Sequence, residues 1–344
     1  MSSTDLRPQA TLTAAQLTRS PAWLPLDVLE NGAVRLLQLD EDAYRAASFL
    51  DQRMLRPGVP QASCAPAELA AAAAQLRPAA HFIFHIGHVG STLLSRLLGE
   101  DPRLFCLREP HLLRVLAGRP RTCPLPLPAL LALLSRVWRP QQRALVKATS
   151  FVGEIAGAAL AATPGAVAIL MYTPAATYLR SILGGPNSRI EARSMGPSRL
   201  ARLRARVAPL AIPEPRSEGE LIAMSWLCEM AALCQAAESF PKRVRWLEFE
   251  RFLRDPASGL ATAFTALGVA PDARVIEAAV GGPLLHRYSK APEHAYDAAL
   301  RRAVLESAEQ EHGGEVRRGV QWLAGLAGSH RWVDQALALS AAGG

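Results

Sequence analysis

A glycine-containing segment carries the residues best suited to binding a phosphate group. It reads Ile86-Gly87-His88-Val89-Gly90-Ser91-Thr92-Leu93-Leu94 and lies between a strand-like run, residues 81–86, and a predicted helix over 92–98. The two glycines allow a tight turn and a close approach of a ligand to the backbone. The amides from Gly90 onward would then point outward at a helix N-terminus, where unbonded N–H groups and the helix dipole favour anions. Because a strand, glycine turn and helix can also be purely structural, that interpretation stays open beside the anion site.

This segment, hereafter the glycine loop (residues 86–94), is not a Walker A loop. The Walker A pattern GxxxxGK[ST] needs a lysine directly before the Ser or Thr to reach the outer phosphates, and Gly90 holds that place here. The sequence therefore disfavours hydrolysis of ATP or GTP. A kinase is also disfavoured, because no Mg²⁺-ligating aspartate is evident.

The glycine loop is set within alternating strand and helix patterns. After the strand at 81–86, further strands are predicted at 144–147, 166–172 and 244–249, and helices near 128–137, 150–162, 174–183, 217–239 and 257–267. Such alternation predicts an α/β fold of three α/β/α layers with a mostly parallel central sheet. Ligands of such folds bind at the carboxyl ends of the strands. Lys147 ends one strand and is expected to point toward the ligand site at the carboxyl ends of the strands. The alternative is a surface lysine with a buried stem.

Two regions fall outside this alternation. Residues 1–78 form a predicted N-terminal extension of short strands and helices, with a hairpin turn at Glu30-Asn31-Gly32, and packing or oligomer contacts are its expected role. The main domain is predicted over 79–344. Within it, residues 184–219 carry Gly-Gly-Pro, further prolines and several arginines, which predicts a long irregular stretch. That stretch is either a functional lid or a solvated charged loop.

Composition restricts the class of protein. Half of the 344 residues are apolar and 20% are charged, which predicts a large core rather than disorder. A net charge of +8 suggests an anionic partner, but no nucleic-acid motif is present, so a nucleic-acid binder is disfavoured. Five cysteines without metal-ligand spacing predict a reducing compartment and no metal site. We expect a cytoplasmic protein, because residues 1–12 lack a signal sequence and prolines interrupt the uncharged run 155–179.

An ordered set of motifs over about 81–295 resembles the PAPS-dependent sulfotransferases, where PAPS is 3′-phosphoadenosine 5′-phosphosulfate. The glycine loop resembles that family's 5′-phosphosulfate loop, P-[KR]-S-G-T-T-x-L, at the glycine, both hydroxyl positions and the last leucine. Asp101-Pro102-Arg103 with Arg108-Glu109-Pro110 resembles the segment that carries the catalytic glutamate in the tyrosylprotein branch. Val146-Lys147-Ala148-Thr149 and the segment 247–268 resemble further family motifs. The overall pattern is most similar to uncharacterised bacterial sulfotransferase-like proteins.

The resemblance implies an enzyme that moves a sulfuryl group from PAPS to a hydroxyl or amine acceptor, without a metal. Glu109 is implied as the base that takes the acceptor's proton, with His111 as the alternative, and an ion pair of Glu109 with Arg108 or Arg114 as the non-catalytic interpretation. Lys147 and His88 are implied to stabilise the transferring group and the leaving phosphate. The implied nucleotide-binding residues are Gly87, His88, Val89, Gly90, Ser91, Thr92, Leu93, Arg180, Ser181, Ser289 and Lys290.

Two residues depart from the family pattern. His88 replaces the lysine or arginine of the loop, and it supplies a positive charge only when protonated, a form that a nearby anion favours. Thr173 stands where the family has the strand-end arginine of its 3′-phosphate site, although Ser181 follows at the expected distance. Arg180 or an arginine of residues 184–216 is the expected substitute. These departures leave a second function open, that of a catalytically degenerate nucleotide- or polyanion-binding protein. The acceptor and the oligomeric state are not predicted.

Overall fold

The computed structural model describes residues 10–119, 122–287 and 298–343. Within them, strands form two sheets. The small sheet has the order β1-β4-β3-β2, and the main sheet has the order β6-β7-β5-β8-β9 with every pairing parallel. The strands are β1 Ala10–Thr11, β2 Trp23–Val28, β3 Val34–Gln38, β4 Gln61–Cys64, β5 His81–His85, β6 Leu104–Arg108, β7 Arg143–Lys147, β8 Ala168–Tyr172 and β9 Val244–Glu248.

Helices follow most strands of the main sheet. Those described are α1 Ala14–Thr18, α2 Glu41–Ala46, α3 Pro66–Ala74, α4 Ser91–Leu98, α5 His111–Gly118, α6 Leu127–Leu134, α7 Ala156–Ala162, α8 Ala175–Leu183, α9 Pro186–Arg206, α10 Glu218–Ser239, α11 Phe249–Arg254, α12 Pro256–Ala266, α13 Ala273–Gly281, α14 Ala298–Ala324 and α15 Arg331–Ala342. Short 3₁₀ helices occupy 52–54, 150–155, 241–243 and 283–286.

The main sheet is covered by helices on both faces, so the predicted three-layer α/β/α fold is confirmed. The central strand β5 is buried at every residue, as expected for a strand covered on both sides. It contacts α4, which also packs against α12, and α10, which packs against α8, α9 and α14. Because the strands are parallel, the carboxyl ends of β5, β6, β7 and β8 lie along one edge of the sheet. The functional residues predicted at strand ends are therefore brought to this edge.

The N-terminal extension packs on the main domain rather than extending away from it. The predicted hairpin is present, with β2 and β3 antiparallel. Buried Arg108 donates to the carbonyl oxygens of Tyr44, Arg45 and Ala47, and buried Arg136 donates to carbonyls of residues 17, 20 and 23. A buried guanidinium is costly without such acceptors, and these bonds fix the extension against β6 and α6.

The prediction of a long irregular stretch over 184–219 is wrong. Residues 186–206 form the helix α9, and α10 begins at Glu218. Pro186 occupies the first turn of α9, where proline is tolerated, although Pro197 lies inside the helix. The arginines recur at helical spacing and pair with carboxylates of neighbouring helices, as Arg189 does with Glu218. These ion pairs hold a helix that composition alone does not predict.

The uncharged run 155–179 is broken up as predicted. It contains α7, the buried strand β8 and the start of α8. Among the described helices, none combines the length and the apolar character needed to cross a membrane.

His81 at the start of β5 makes the stability of the fold depend on pH. Burial, aided by the charge of Arg143, lowers the pKa of His81 to about 4, and its Nδ1 accepts a hydrogen bond of 3.0 Å from the amide of Val167. In the unfolded chain a histidine takes up a proton near pH 6.5. As the pH falls below 6.5, only the unfolded state gains this proton, so the folded state loses stability until the pH reaches about 4.

We expect the free energy of unfolding to fall by about 2 kcal/mol between pH 7 and pH 5 through His81. A His81→Asn variant keeps an acceptor for the amide of Val167 but cannot titrate. Urea unfolding of both proteins at the two pH values measures the difference. Equal losses in the variant and the wild type would contradict this origin of the pH dependence.

Candidate functional site

The glycine loop connects β5 to α4 through three left-handed residues. The φ angles are +89° at Gly87, +55° at His88 and +61° at Gly90, which is the residue before the first turn of α4. A positive φ is strained for a residue with a side chain, so His88 is held there by its surroundings. His85 contributes to this support, because its Nδ1 accepts from the Gly87 amide (3.0 Å) and its Nε2 contacts the Ala148 carbonyl (2.8 Å).

One face of the glycine loop borders a cavity of about 240 Å³, hereafter the loop cavity. Among the predicted nucleotide-binding residues, those that line it are His88, Val89, Gly90, Ser91, Thr92, Leu93 and Ser181. Arg287 and Arg301 line it as well. The loop cavity thus brings the N-terminus of α4 together with a hydroxyl and two guanidinium groups, a combination suited to an anionic ligand.

Two features of the loop concern its packing and its hydrogen bonding, and the second fits a phosphate group. A Cβ placed on Gly90 would lie 2.0 Å from Cε2 of Phe249, so only glycine allows this ring to pack on the loop. The hydroxyl of Thr92 is buried and has no hydrogen-bond partner in the part of the chain that the structure describes. A buried donor without an acceptor is costly, and a phosphate oxygen in the loop cavity would supply one.

A second cavity, of about 310 Å³, lies on the other side of the loop and is hereafter the Glu109 cavity. It shares His85, His88 and Ser188 with the loop cavity, so the two adjoin at the glycine loop. Its remaining lining residues are Phe49, Arg53, Ile86, Gly87, Glu109, Arg114, Thr149, Ser150, Tyr178, Ile182, Glu191, Ala192 and Arg199. His88 is the residue of the glycine loop that lines both cavities.

Glu109 lies directly after the end of β6 and faces the second cavity. Its φ is +53°, another strained backbone position at the site. Its carboxylate forms an ion pair with Lys147 and accepts a hydrogen bond of 3.0 Å from the Thr149 hydroxyl. Arg108 instead donates to backbone carbonyls of the extension. These contacts fix the direction in which the carboxylate points.

Lys147 is entirely buried and does not line either described cavity. Lys147 pairs with Arg108 in the register of β6 and β7, and Arg108 is the residue directly before Glu109. A buried ammonium group needs a counter-charge, and the Glu109 carboxylate supplies one. Lys147 therefore supports the Glu109 carboxylate, and its contact with the transferring group stays a prediction.

Other predicted site residues lie away from the cavities. Arg180 donates to Thr177 and lies 3.9 Å from a Glu309 carboxylate oxygen, and it does not line the loop cavity. His111 is at the start of α5, and burial, aided by the charge of Arg114, lowers its pKa. It lines neither described cavity. Ser289 and Lys290 fall outside the described residues.

Several residues that line the cavities are not predicted from the sequence. Phe49 and Arg53 come from the N-terminal extension, whose expected role is packing or oligomer contacts. Arg53 stacks on Phe49, with 3.4 Å between its Cζ and the ring centre. Arg301 comes from α14, a helix that the sequence analysis did not predict. None of these residues lies in a motif, so the sequence offered no signal for them.

The fold and the loop define a three-layer α/β/α protein with a candidate anion site at the end of its central strand. No protein-family model matches the sequence, and no curated protein matches it significantly. Solved structures of sulfotransferases do match, and sulfotransferases are the class that the motifs resemble.

One such match is the sulfotransferase domain from the curacin biosynthetic pathway, which is 15% identical, covers 72% of this chain and 98% of its own, and has a TM-score of 0.42. A sulfotransferase from Mycobacterium tuberculosis H37Rv is 13% identical, with 72% and 83% covered and a TM-score of 0.39. Mouse sulfotransferase SULT7A1, solved with PAP, is 12% identical, with 62% and 69% covered and a TM-score of 0.31.

Proposed function

We propose that this protein is a sulfotransferase that moves the sulfuryl group of PAPS to a hydroxyl or amine acceptor. The observation that carries the proposal is the pair of adjoining cavities that meet at His88. One is lined by the N-terminus of α4, which suits the donor's phosphosulfate, and the other holds the Glu109 carboxylate, which suits an acceptor. A group-transfer enzyme must bring two substrates together in this way.

In the proposed reaction, the acceptor oxygen or nitrogen attacks sulfur while the bond from sulfur to the bridging oxygen breaks. The acceptor's proton passes to the Glu109 carboxylate, and adenosine 3′,5′-bisphosphate (PAP) leaves. Charge develops on the leaving phosphate, where the amides of Ser91 and Thr92 and the imidazole of His88, when protonated, would stabilise it. Lys147 and Thr149 hold the carboxylate in place from behind.

PAP itself provides the first test, because a ligand of the folded state raises the stability of that state. At a PAP concentration a hundred times its dissociation constant, we expect about 2.7 kcal/mol of added stability. Thermal unfolding with and without millimolar PAP measures this, with adenosine as the control ligand that lacks both phosphates. An unchanged melting temperature at millimolar PAP would count against the proposal.

Transfer is tested with PAPS labelled in its sulfate, mixed with a panel of phenols, alcohols and amines, and analysed by mass spectrometry. A sulfated product establishes the activity. Binding of PAP without any sulfated product or release of sulfate would instead favour the second function, a nucleotide-binding protein without transfer activity. His88 in place of a permanently charged residue is the observation that keeps this second function open.

A further inference from the structure

Two buried polar groups of the Glu109 cavity carry hydrogen-bond donors that no described residue accepts. Arg199 of α9 is 5% exposed and Tyr178 of α8 is 2% exposed, and both line this cavity. Nε of Arg199 donates to Oε1 of Glu229 over 3.2 Å, whereas its two Nη groups donate to none of the described residues. The Tyr178 hydroxyl makes no hydrogen bond to them either. Buried donors of this kind favour a ligand that supplies acceptors.

The guanidinium of Arg199 shares its counter-charge with other arginines. Nη2 of Arg202 donates to the same Oε1 atom of Glu229, also over 3.2 Å. Arg202 pairs in addition with Glu154, and Glu154 pairs with Arg206 as well. Three guanidiniums are thus paired with two carboxylates, which leaves one positive charge in excess on this side of the Glu109 cavity. An anion beside Arg199 would balance that charge.

The other charges of the Glu109 cavity do not offset this excess. The Glu109 carboxylate is neutralised by the buried ammonium group of Lys147. Glu191 is exposed, so water screens the charge of its carboxylate. Arg114 adds a further guanidinium, and its ion pair among the described residues is a distant one, 3.9 Å from a carboxylate oxygen of Asp51. The cavity therefore suits a molecule that carries a negative charge.

We propose that the acceptor is a small carboxylic acid and that Arg199 and Tyr178 bind its carboxylate. This inference rests on the proposed function, since it names the chemical class of the acceptor in the Glu109 cavity. A cavity of about 310 Å³ suits a small molecule. The two Nη groups of a guanidinium match the two oxygens of a carboxylate, and a phenol can donate to one of them.

Two observations favour this assignment. Burial raises the pKa of Tyr178 to about 12, although the positive charge of Arg199 acts to lower it. The hydroxyl therefore keeps its proton at neutral pH and can donate, and the guanidinium lies close enough to act on the same group. Arg199 lines the Glu109 cavity and not the loop cavity, so the anion assigned to it belongs to the acceptor rather than to the donor.

The test compares acids with their primary amides, which lack the charge but keep the group that would be sulfated. The acids are para-hydroxyphenylacetate, lactate and β-alanine, which offer a phenol, an alcohol and an amine. Mass spectrometry of transfer from labelled PAPS gives kcat/KM for each compound. For the acceptors that the wild type sulfates, we expect kcat/KM of the acid to exceed that of its amide about ten- to hundredfold, the range for hydrogen bonds to charged groups.

Three variants locate the origin of this preference. Arg199→Gln should lower kcat/KM of the acid to that of the amide and leave the amide within about twofold. Tyr178→Phe should lower kcat/KM of the acid about fivefold, the value of one hydrogen bond. Arg202→Gln is the matched control, because Arg202 shares Glu229 with Arg199 but lines neither described cavity, and it should keep the preference for the acid.

Transfer to acids and amides with equal kcat/KM would overturn this inference and leave the proposed function intact. An equal loss of the preference in Arg202→Gln would assign the effect to the ion pairs of Glu229 and also overturn it, as would weaker PAP binding in Arg199→Gln, which would place Arg199 at the donor. PAP binding without transfer to any acid or amide would overturn both proposals. Should Arg199→Gln fail to fold, Tyr178→Phe decides, because its hydroxyl bonds to no described residue and its loss should leave the fold stable. An unchanged ratio of acid to amide in Tyr178→Phe would then overturn the inference.

Discussion

Replacing Glu109 with glutamine is expected to reduce sulfuryl transfer by about a hundred- to ten-thousandfold, the contribution typical of a positioned base. The amide keeps the shape of the side chain and can still accept from the Thr149 hydroxyl, but it cannot take a proton from the acceptor. The affinity for PAP should stay within about twofold, because Glu109 lines the cavity on the other side of the glycine loop. Single-turnover transfer from labelled PAPS and calorimetric titration with PAP measure the two quantities separately.

Glu191→Gln provides the matched control, since Glu191 is a second carboxylate of the same cavity and is exposed. Equal losses of the transfer rate in Glu109→Gln and Glu191→Gln would show that the negative charge of the cavity, rather than proton transfer to Glu109, supports the reaction. A Glu109→Gln variant with the full wild-type rate would remove Glu109 from the mechanism.

Loss of stability must be separated from loss of chemistry in this experiment. Lys147 is completely buried, and Glu109→Gln removes the carboxylate that neutralises it, a change that costs about 3–5 kcal/mol in comparable buried pairs. The double variant Glu109→Gln with Lys147→Met removes both charges and should regain most of that stability. We expect it to remain as slow as the single variant. Recovery of the rate together with the stability would contradict the role of Glu109 as a base.

The sequence predicted the parts of the site that are encoded locally. The glycine loop follows from a strand, two glycines and a helix within fourteen residues, 81–94, so its position in the chain is encoded by that segment. The contact between Glu109 and Lys147 depends instead on the register of β6 and β7, and the sequence analysis assigned no strand to residues 104–108. Because β6 was not predicted, the segments that carry Glu109 and Lys147 could be matched to a family, but their contact could not be predicted.

The residues that the sequence missed depend on long-range packing. Arg301 is fixed by Glu250, fifty-one positions earlier, and Phe49 reaches the Glu109 cavity because Arg108 holds the extension against β6. The failure to predict helix α9 has a related cause. Its two prolines and Gly196 are unfavourable for an isolated helix, and ion pairs to α10 stabilise it in the folded protein. Tertiary contacts therefore determine which distant residues line the cavities. They also stabilise helix α9, which local composition predicts to be irregular.

Gly90→Ala is expected to abolish measurable PAP binding at concentrations that saturate the wild type. An alanine there must adopt a φ of +61°, and its Cβ would lie 2.0 to 2.8 Å from three carbon atoms of the Phe249 ring. Either the ring or the loop must move, and each movement displaces an amide or a wall of the loop cavity. The strained backbone adds about 1–2 kcal/mol of lost stability. Thermal unfolding and calorimetry with PAP measure the two effects.

Gly157→Ala is the matched control, because Gly157 lies in α7 and a Cβ there meets nothing within 4 Å. It should bind PAP normally and be as stable as the wild type or slightly more so, since alanine favours a helix over glycine. The double variant Gly90→Ala with Phe249→Ala removes the collision but keeps the strained φ. Partial recovery of PAP binding in that variant would locate the defect in the contact between ring and loop. No recovery would assign it to the backbone, and normal binding by Gly90→Ala alone would show that the loop does not need its present conformation to hold the nucleotide.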